Sequence, residues 1–435
     1  MADLRDFCER LWNGEIDTVF EAHPVTSPWN NRQAEEVADG ILYFKSVASA
    51  NTVDTGDGLV MLDTGTRQDA QVLHAGVRAW RPETRLAAAV FSHHHVDHIF
   101  GVGPFEEEAR AAGAPGPTVY GHEAIPGHFD RYKRTVGYNS AINTRQFIRP
   151  GGAAEFRMAW PDEFRYPDVT YQGQLTFQQG DLHFELHHTL GETEDATWTW
   201  VPERKLLAPG DLFIWAVPNA GNPQKVQRWV GEWAAGLRQM AALGAELMLP
   251  GHGYPIFGAD RIQTALEDTA DLLDTLESQT LALMNTGASL DTVLHEVQIP
   301  ETALEKPYLR PVYDHPQFII RNVWRLYGGW YEGEPDHLLP APRADQAGEW
   351  VRLAGGLQPV LDRVVALRDS GDLRMACHLV EYAVLAEPGS ADAHTLRQDV
   401  YEKRANEQTS SMARGVFSFA SVSSGVGKRD GFERD

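Results

Sequence analysis

The chain has 435 residues, of which 43% are apolar and 23% charged, and its formal net charge is −23. A chain of this length is longer than a domain with one hydrophobic core of ordinary size, so we expect two domains or one large domain with additions. An acidic surface disfavours nucleic acid and anionic membranes as partners, and the distant Cys8 and Cys377 provide neither a disulfide framework nor a cysteine metal site.

Residues 1–40 are interpreted as a helical N-terminal extension. The first ten residues carry acids and no apolar run, which is not the pattern of a secretory signal. No stretch approaches the ~20 apolar residues that a transmembrane helix needs. We therefore expect a cytoplasmic protein without membrane insertion.

Between residues 41 and 262, short apolar runs alternate with helical patterns, which predicts an α/β domain. One buried strand, over 86–91, leads directly into a histidine-rich segment. The other predicted elements are strands at 41–48, 58–62, 183–186, 197–201, 205–208 and 246–249 and helices at 68–81 and 226–243.

Strand signals end near residue 260. Residues 263–344 are interpreted as a helical extension and linker. Between 345 and 415 the pattern predicts amphipathic helices, which Gly-containing breaks separate. The Ser- and Gly-rich segment 416–435 is predicted to be a disordered tail.

The segment His93-x-His95-x-Asp97-His98 carries the strongest chemical signal. Two imidazoles at positions i and i+2 of an extended segment can reach one ion, and the acid and imidazole of the following turn can reach a second ion. Imidazole and carboxylate without thiolate suit zinc, with other divalent metals possible. His94 is out of phase with both pairs and is expected to be structural. The competing interpretation is a histidine-rich surface loop.

Three further candidate ligands follow predicted strands, namely Glu192, Asp211 and His252. The ends of successive strands converge on one rim of a sheet sandwich, which would bring these side chains towards the histidine segment. Taken singly, an acid after glycine is usually a turn former or a cap. Because of their order along the chain, we interpret all three as metal ligands.

This order of ligands resembles the metallo-β-lactamase superfamily over residues 41–260. Most members of that superfamily have histidine at the turn that here contains Glu192, and glutamate there resembles the alkylsulfatase branch. Segment 311–335 is also similar to the linker of that branch. The resemblance implies an αββα catalytic domain at 41–262, followed by an all-α dimerisation domain at 345–415 through which two subunits form a homodimer.

The resemblance further implies a hydrolase with two Zn²⁺ ions and Asp211 as their bridging ligand. Such an enzyme would cleave a small organic sulfate ester of the alkyl type, with a metal-bridging hydroxide as the nucleophile. Asp97 lies close to that nucleophile in the implied site and would orient it. We therefore expect Asp97 and Asp211 to be catalytic.

The negative charge of the substrate would be bound by side chains beside the metals. Tyr138, Asn143 and Arg145 lie where alkylsulfatases keep an anion-binding segment, and Asn219 is a further candidate. The guanidinium fork of arginine suits a tetrahedral oxyanion. A surface ion pair is an equal alternative for Arg145.

One departure from the branch leaves two alternatives open. Pro218 stands where alkylsulfatases carry a histidine that is thought to assist the leaving group, and proline cannot donate a proton. A lactone, thioester or phosphoester is therefore an alternative to the sulfate ester. A third interpretation is a non-catalytic metal-binding or assembly protein that uses the C-terminal helices as its interface.

Overall fold

The structure is a computed structural model that describes residues 4–16, 32–149 and 151–432. The chain divides into two compact units. The first comprises Met1–Arg134 and Pro161–Trp330, and the second comprises Thr135–Trp160 and Tyr331–Asp435. No helix within the described ranges combines the length and the apolar character that crossing a bilayer requires.

The first unit contains two β-sheets. Their strands are β1 (Gln33–Ala38), β2 (Ile41–Lys45), β3 (Ala50–Asp54), β4 (Leu59–Leu62), β5 (Leu86–Val90), β6 (Thr118–His122), β7 (Val169–Tyr171), β8 (Gln174–Gln179), β9 (Leu182–His188), β10 (Thr197–Val201), β11 (Leu206–Ile214), β12 (Leu247–His252) and β13 (Ile256–Phe257). One sheet has the order β1-β2-β3-β4-β5-β6-β7 and the other β13-β12-β11-β10-β9-β8. Strands β4 to β7 pair in parallel, as do β11 and β12, and the remaining neighbours are antiparallel.

Helices cover the sheets of the first unit and form most of the second unit. Those of the first unit are α1 (Leu4–Trp12), α2 (Ala70–Trp80), α3 (Gly103–Ala111), α4 (Ile125–Arg134), α6 (Val230–Ala241), α7 (Ala259–Asn285), α8 (Leu290–Glu296), α9 (Glu301–Leu304) and α10 (Pro316–Gly328). Those of the second unit are α5 (Val136–Phe147), α11 (Arg343–Leu353), α12 (Leu357–Asp369), α13 (Leu373–Ala386), α14 (Ala391–Asn406) and α15 (Ser411–Gly425).

Strand β2 shows how the layers of the first unit arise. All five of its residues are buried, and successive side chains of a strand point to opposite faces. Ile41 and Tyr43 join a core that also contains Phe184 of β9, whereas Leu42 and Phe44 join a second core with α2, α3 and α4. The first core continues to α6 and α7. The layers are therefore helix, sheet, sheet and helix.

The second unit is helical. Its core includes Val364 of α12, Val380 of α13 and Val400 of α14, all fully buried. Helix α5 joins this unit through α15, where a Cβ atom added to Gly415 would lie 1.8 Å from the carbonyl oxygen of Gln146. Glycine is therefore required at this crossing, because any larger residue would force the two helices apart.

The predicted fold class is confirmed, but two of the predicted segments are wrong. The expected helical extension over 1–40 contains strand β1, whose polar edge sequence lacks an apolar alternation, and its residues 17–31 lie outside the described residues. The expected disordered tail over 416–435 begins inside α15. The serines that suggested disorder, such as Ser418 and Ser423, are buried, because small side chains let this helix pack closely on α14. The other domain boundaries stay predictions.

Helix α2 offers a matched test of this layering. Val77 is fully buried in the core between α2 and the first sheet, whereas Val72 on the same helix is 39% exposed. We expect Val77→Ala to lower the free energy of unfolding by about 1.5–3 kcal/mol, since it removes two buried carbons and leaves a cavity. Val72→Ala should change it by less than about 0.5 kcal/mol. Urea denaturation of both variants measures the difference, and equal effects would contradict the assigned layers.

Candidate metal centre

The histidine segment lies at the carboxyl end of the parallel strands of the first sheet. It follows β5, and Asp63 follows the neighbouring strand β4. From the second sheet, Asp211 lies within β11 and His252 ends the parallel strand β12, while Glu192 lies in the loop between β9 and β10. The two sheets therefore bring ligand-type side chains to one shared rim.

Glycines and backbone hydrogen bonds let the two sheets meet at this rim. A Cβ atom at Gly251 would lie 2.1 Å from Asp211 Oδ1, and one at Gly210 would lie 2.7 Å from the Cβ of Ser92. The amide of Thr197 donates to the carbonyl of Ser92 at 2.8 Å, across the two sheets. Side chains at the two glycines would push the candidate ligands apart.

One group of candidate ligands contains His93, His95 and Asp211, whose ligand atoms lie within 4.8 Å of one another. His93 Nε2 is 3.7 Å from Asp211 Oδ2. Glu192 joins them, with its Oε1 3.6 Å from His95 Nδ1. These four side chains could hold one ion.

A second group contains Asp97, His98 and His252. Asp97 Oδ2 lies 3.8 Å from His98 Nε2 and 3.5 Å from His252 Nε2. Asp211 also faces this group, since its Oδ1 lies 3.4 Å from His98 Nε2 and its Oδ2 lies 3.2 Å from His252 Nε2. The structure thus brings together all seven side chains that the sequence singles out, with Asp211 between the two groups.

Several ligand atoms are buried without a protein partner, which tests whether cations fit here. Within the described part of the chain, His93 Nε2, His98 Nε2, Glu192 Oε2 and Asp211 Oδ1 make no hydrogen bond. Buried polar atoms nearly always have a partner. Imidazole nitrogens and carboxylate oxygens are also the donor set that zinc takes. The residues present therefore fit divalent cations.

The protonation equilibria also agree with bound cations. Burial lowers the pKa of His93 to about 4, so its ring is neutral and keeps a lone pair for a metal. Burial and the nearby Asp211 raise the pKa of Glu192 well above its usual range. Burial lowers the pKa of His252, but the carboxylate of Asp211 outweighs it and raises the value to about 9. The converging carboxylates therefore carry excess negative charge that a metal would neutralise.

Groups behind the ligands fix their orientation. Asp63 accepts hydrogen bonds from the amide and hydroxyl of Ser92, each at 2.8 Å, and lies 2.9 Å from His98 Nδ1. His252 Nδ1 lies 2.6 Å from the carbonyl oxygen of Val47. Such partners fix the tautomer and direct the other ring nitrogen towards the metal.

The four predicted substrate-binding residues lie in two places. Asn219 is buried and its amide donates to Glu192 Oε1. The other three belong to α5 in the second unit. Tyr138 is 63% exposed, the amide of Asn143 donates to the carbonyl of Asn139 at 2.8 Å, and Arg145 pairs with Asp430 at 2.8 Å. A substrate role for these four residues stays a prediction.

Sequence reasoning missed several residues of this centre. Asp63 directly follows β4, and its φ of 54° is rare for a residue other than glycine. Arg228 is buried and its Nη2 lies 3.5 Å from Glu192 Oε1. Burial raises the pKa of the Tyr313 phenol, and the charges of Glu192 and Asp97 raise it further. The Asp-Thr-Gly that follows β4 is the sequence signal for Asp63. For Arg228 and Tyr313 the sequence offers no signal.

The role of Asp63 can be measured. We expect Asp63→Asn to weaken zinc binding on the order of 10- to 100-fold, because the amide cannot accept all three hydrogen bonds and His98 loses its orientation. Competition with a chromophoric chelator measures the affinity. Asp57→Asn, in the exposed turn between β3 and β4, is the control. Unchanged zinc affinity in Asp63→Asn would refute the orienting role.

Two family models match the chain. Residues 47–252 match the metallo-β-lactamase superfamily, and residues 289–424 match the alkyl sulfatase dimerisation family. The first range contains all seven candidate ligands. The second begins earlier than the dimerisation domain expected from the sequence, at α8, and ends within α15.

Curated relatives carry alkylsulfatase names. The chain is 26% identical over 414 residues to an (R)-specific secondary-alkylsulfatase of Pseudomonas, which covers 88% of this chain and 61% of that protein. It is 25% identical over 354 residues to a linear primary-alkylsulfatase of another Pseudomonas strain, covering 76% and 65%. A yeast alkyl/aryl-sulfatase, BDS1 of Saccharomyces cerevisiae, is 26% identical over 172 residues, covering 40% and 27%. The chain thus spans less than two thirds of the length of these relatives.

Solved structures show the same fold. The stereoselective inverting sec-alkylsulfatase Pisa1 from Pseudomonas matches with a TM-score of 0.80 and 24% identity, covering 91% of this chain and 66% of that one. A double mutant of the same enzyme matches with a TM-score of 0.79. At this level of identity the likeness concerns the fold.

Proposed function

We propose that the chain is a metal-dependent hydrolase of alkyl sulfate esters with two divalent cations, zinc in the first instance, at the shared rim of its sheets. One observation carries this proposal: seven ligand-type side chains meet in two groups that share Asp211, and four of them have buried atoms without a partner among the described residues. The alkylsulfatase names of the relatives support the sulfate ester as substrate.

Each side chain has a definite task in this proposal. One ion would be held by His93, His95 and Glu192. The other would be held by Asp97, His98 and His252, and Asp211 would bind both ions. A bound zinc pair lowers the pKa of water towards neutrality and withdraws electrons from the ester oxygens. Asp97, the half-buried carboxylate of the second group, would also orient the attacking water.

Pro218 keeps a second candidate open. At this position alkylsulfatases carry a histidine that is thought to assist the leaving group, and the next residue, Asn219, uses its amide on Glu192. No proton donor for an alkoxide leaving group is therefore supplied by these two residues. A lactone, thioester or phosphoester is therefore the alternative substrate on the same metal centre.

The substrate class is tested with zinc-loaded protein and a panel of esters. We expect inorganic sulfate to be released from primary or secondary alkyl sulfates, and Asp211→Asn to reduce kcat/KM by more than about 100-fold, beyond the loss typical of an outer partner of a metal ligand. Asp181→Asn, in the exposed turn between β8 and β9, is the control. Turnover of lactones, thioesters or phosphoesters without sulfate release would favour the alternative.

We also propose that the second unit forms a homodimer, as its match to the dimerisation family suggests. Exposed apolar side chains of this unit, among them Leu339 at 92% and Leu353 at 78% exposure, are candidates for the contact, because large apolar groups in water favour association. The expected cytoplasmic location stays a prediction.

Light scattering measures the assembly. The wild-type chain should show twice its single-chain mass at micromolar concentration, and a Leu339→Glu, Leu353→Glu double variant should shift towards the single-chain mass, because buried carboxylates oppose association. Arg363→Glu, on the exposed side of α12, should leave the mass unchanged. A wild-type protein with the single-chain mass would refute the dimer.

A further inference from the structure

A buried histidine that the metal centre does not use lies between two of its ligands. The ring of His94 is inclined by 84° to that of His93 and by 65° to that of His95, and its Nδ1 lies 2.8 Å from Asp195 Oδ1. His94 and Asp195 are at most 1% exposed, and 101 residues separate them along the chain. The pair lies in the first unit, directly behind the histidine segment.

Helix α4 encloses His94 from the other side. His128, Arg131 and Tyr132 lie at positions i, i+3 and i+4 of this helix and therefore share one face. The His128 ring stacks on the His94 ring at a centroid distance of 4.1 Å, and Tyr132 lies 5.2 Å away. Arg131 Nη2 lies 3.3 Å from His94 Nε2. Both ring nitrogens of His94 thus have a partner.

A third metal site is one explanation for this cluster, because ligand atoms of His94, His128 and Asp195 lie within 4.8 Å of one another. The ring geometry argues against it. The two imidazoles are within 22° of parallel, so their in-plane lone pairs run side by side and do not converge on one ion. His94 Nδ1 is also already hydrogen-bonded to Asp195. The cluster is better suited to positioning a side chain.

The chemistry of these side chains fixes which atom donates and which accepts in each hydrogen bond. A guanidinium is a donor without acceptor atoms, so Arg131 donates to His94 Nε2. The proton of the neutral imidazole must then be on Nδ1, from which it is donated to Asp195. Although burial raises the pKa of Asp195, its interaction with His94, including the hydrogen bond from His94 Nδ1, brings the pKa below its usual range, so the carboxylate is ionised. The hydrogen bonds therefore run from the guanidinium of Arg131 to the imidazole of His94 and from there to the carboxylate of Asp195.

Arg131 lies close to the histidine segment, because its Nη2 is 3.3 Å from His94 Nε2 and the His94 ring lies 5.0 Å from the ring of the candidate ligand His95. Burial lowers the pKa of Lys225 to about 7, Arg228 and Arg131 lower it as well, and the metal ligands Asp97 and Glu192 raise it. Tyr132, beside Arg131, is likewise under the influence of both Asp97 and Arg228. The charge of Arg131 thus acts on Lys225 together with the charges of two candidate metal ligands, in agreement with its contact with His94.

We propose that Arg131 binds the negatively charged group of the substrate beside the metal ions, and that the buried pair of His94 and Asp195 positions it there. This inference rests on the proposed function, since it assigns the recognition of the sulfuryl group within that site. A protein with a net charge of −23 repels an anionic ester, so a cation held at a fixed place is needed to offset the field. Arginine also presents several donors in one plane, which suits tetrahedral oxyanions.

The first test separates binding from chemistry. Arg131→Gln should raise KM for an alkyl sulfate and the dissociation constant of inorganic sulfate on the order of 10- to 100-fold, the loss expected for a charged hydrogen bond, while kcat changes less. Arg131→Lys should recover part of the loss because the charge returns. Arg134→Gln, one turn further on the exposed end of α4, is the matched control. Zinc content is measured in each zinc-loaded, full-length variant.

The second test concerns positioning. His94→Gln keeps an oxygen within reach of Arg131 and should retain most of the sulfate affinity, whereas His94→Leu provides no acceptor and should reproduce the KM increase of Arg131→Gln at unchanged zinc content. If both His94 variants bind sulfate as the wild type does, the positioning role is overturned. If His94→Leu loses zinc, the sulfate affinity of His94→Gln and of the two Arg131 variants still decides the outcome.

The failure of this inference can be told apart from the failure of the proposed function. Sulfate release by the wild type together with an unchanged KM and sulfate affinity in Arg131→Gln would overturn the role of Arg131 alone. Absence of sulfate release together with Arg131-dependent binding of inorganic sulfate, measured by titration calorimetry, would overturn the proposed reaction and support the anion site. Failure of both measurements would overturn both.

Discussion

The architecture depends on a set of buried ligand atoms that the protein itself leaves unsatisfied. In the ranges that the structure describes, His93 Nε2, His98 Nε2 and Asp211 Oδ1 face one another without hydrogen bonds. Each such atom costs on the order of 1–3 kcal/mol, and the crowded carboxylates add repulsion. In the proposed function, divalent cations would satisfy these atoms, so that metal binding and folding would be coupled.

A layer of outer groups makes this arrangement possible by removing freedom from the ligands. Asp63, at a φ of 54°, uses its two oxygens on Ser92 and His98 at once. Backbone strain of this kind persists where surrounding contacts determine the conformation. On the opposite side, Asn219 and Arg228 both face Glu192 Oε1, which leaves Oε2 for a metal. The outer groups thus decide which lone pairs point inwards.

The sequence predicts those parts of the centre that depend on local spacing, and it does not predict those that depend on contacts between sheets. His93, His95, Asp97 and His98 lie within one short loop, and Asp211 and His252 follow strands that the sequence predicts, so a strand pattern was sufficient. Asp63 and Asp195 reach their histidines across 35 and 101 residues, a relation that no periodicity contains. The sequence predicts a helix in place of strand β1 and a disordered tail in place of the end of helix α15 for a similar reason. The polar residues of β1 and the serines of α15 are ordered by neighbours that are distant in sequence.

The loop that follows Asp211 shows how the tasks of the centre are divided. Asn219 and Arg228 are engaged with Glu192, and the amide of Gly221 is held by the buried Asp314 just before α10. This loop therefore supports a metal ligand, and its Pro218 has no proton to give. In the proposed function, an anionic substrate needs a cation that is not engaged with Glu192. Helix α4 contacts His94 through Arg131, and in the proposed arrangement this arginine supplies such a cation.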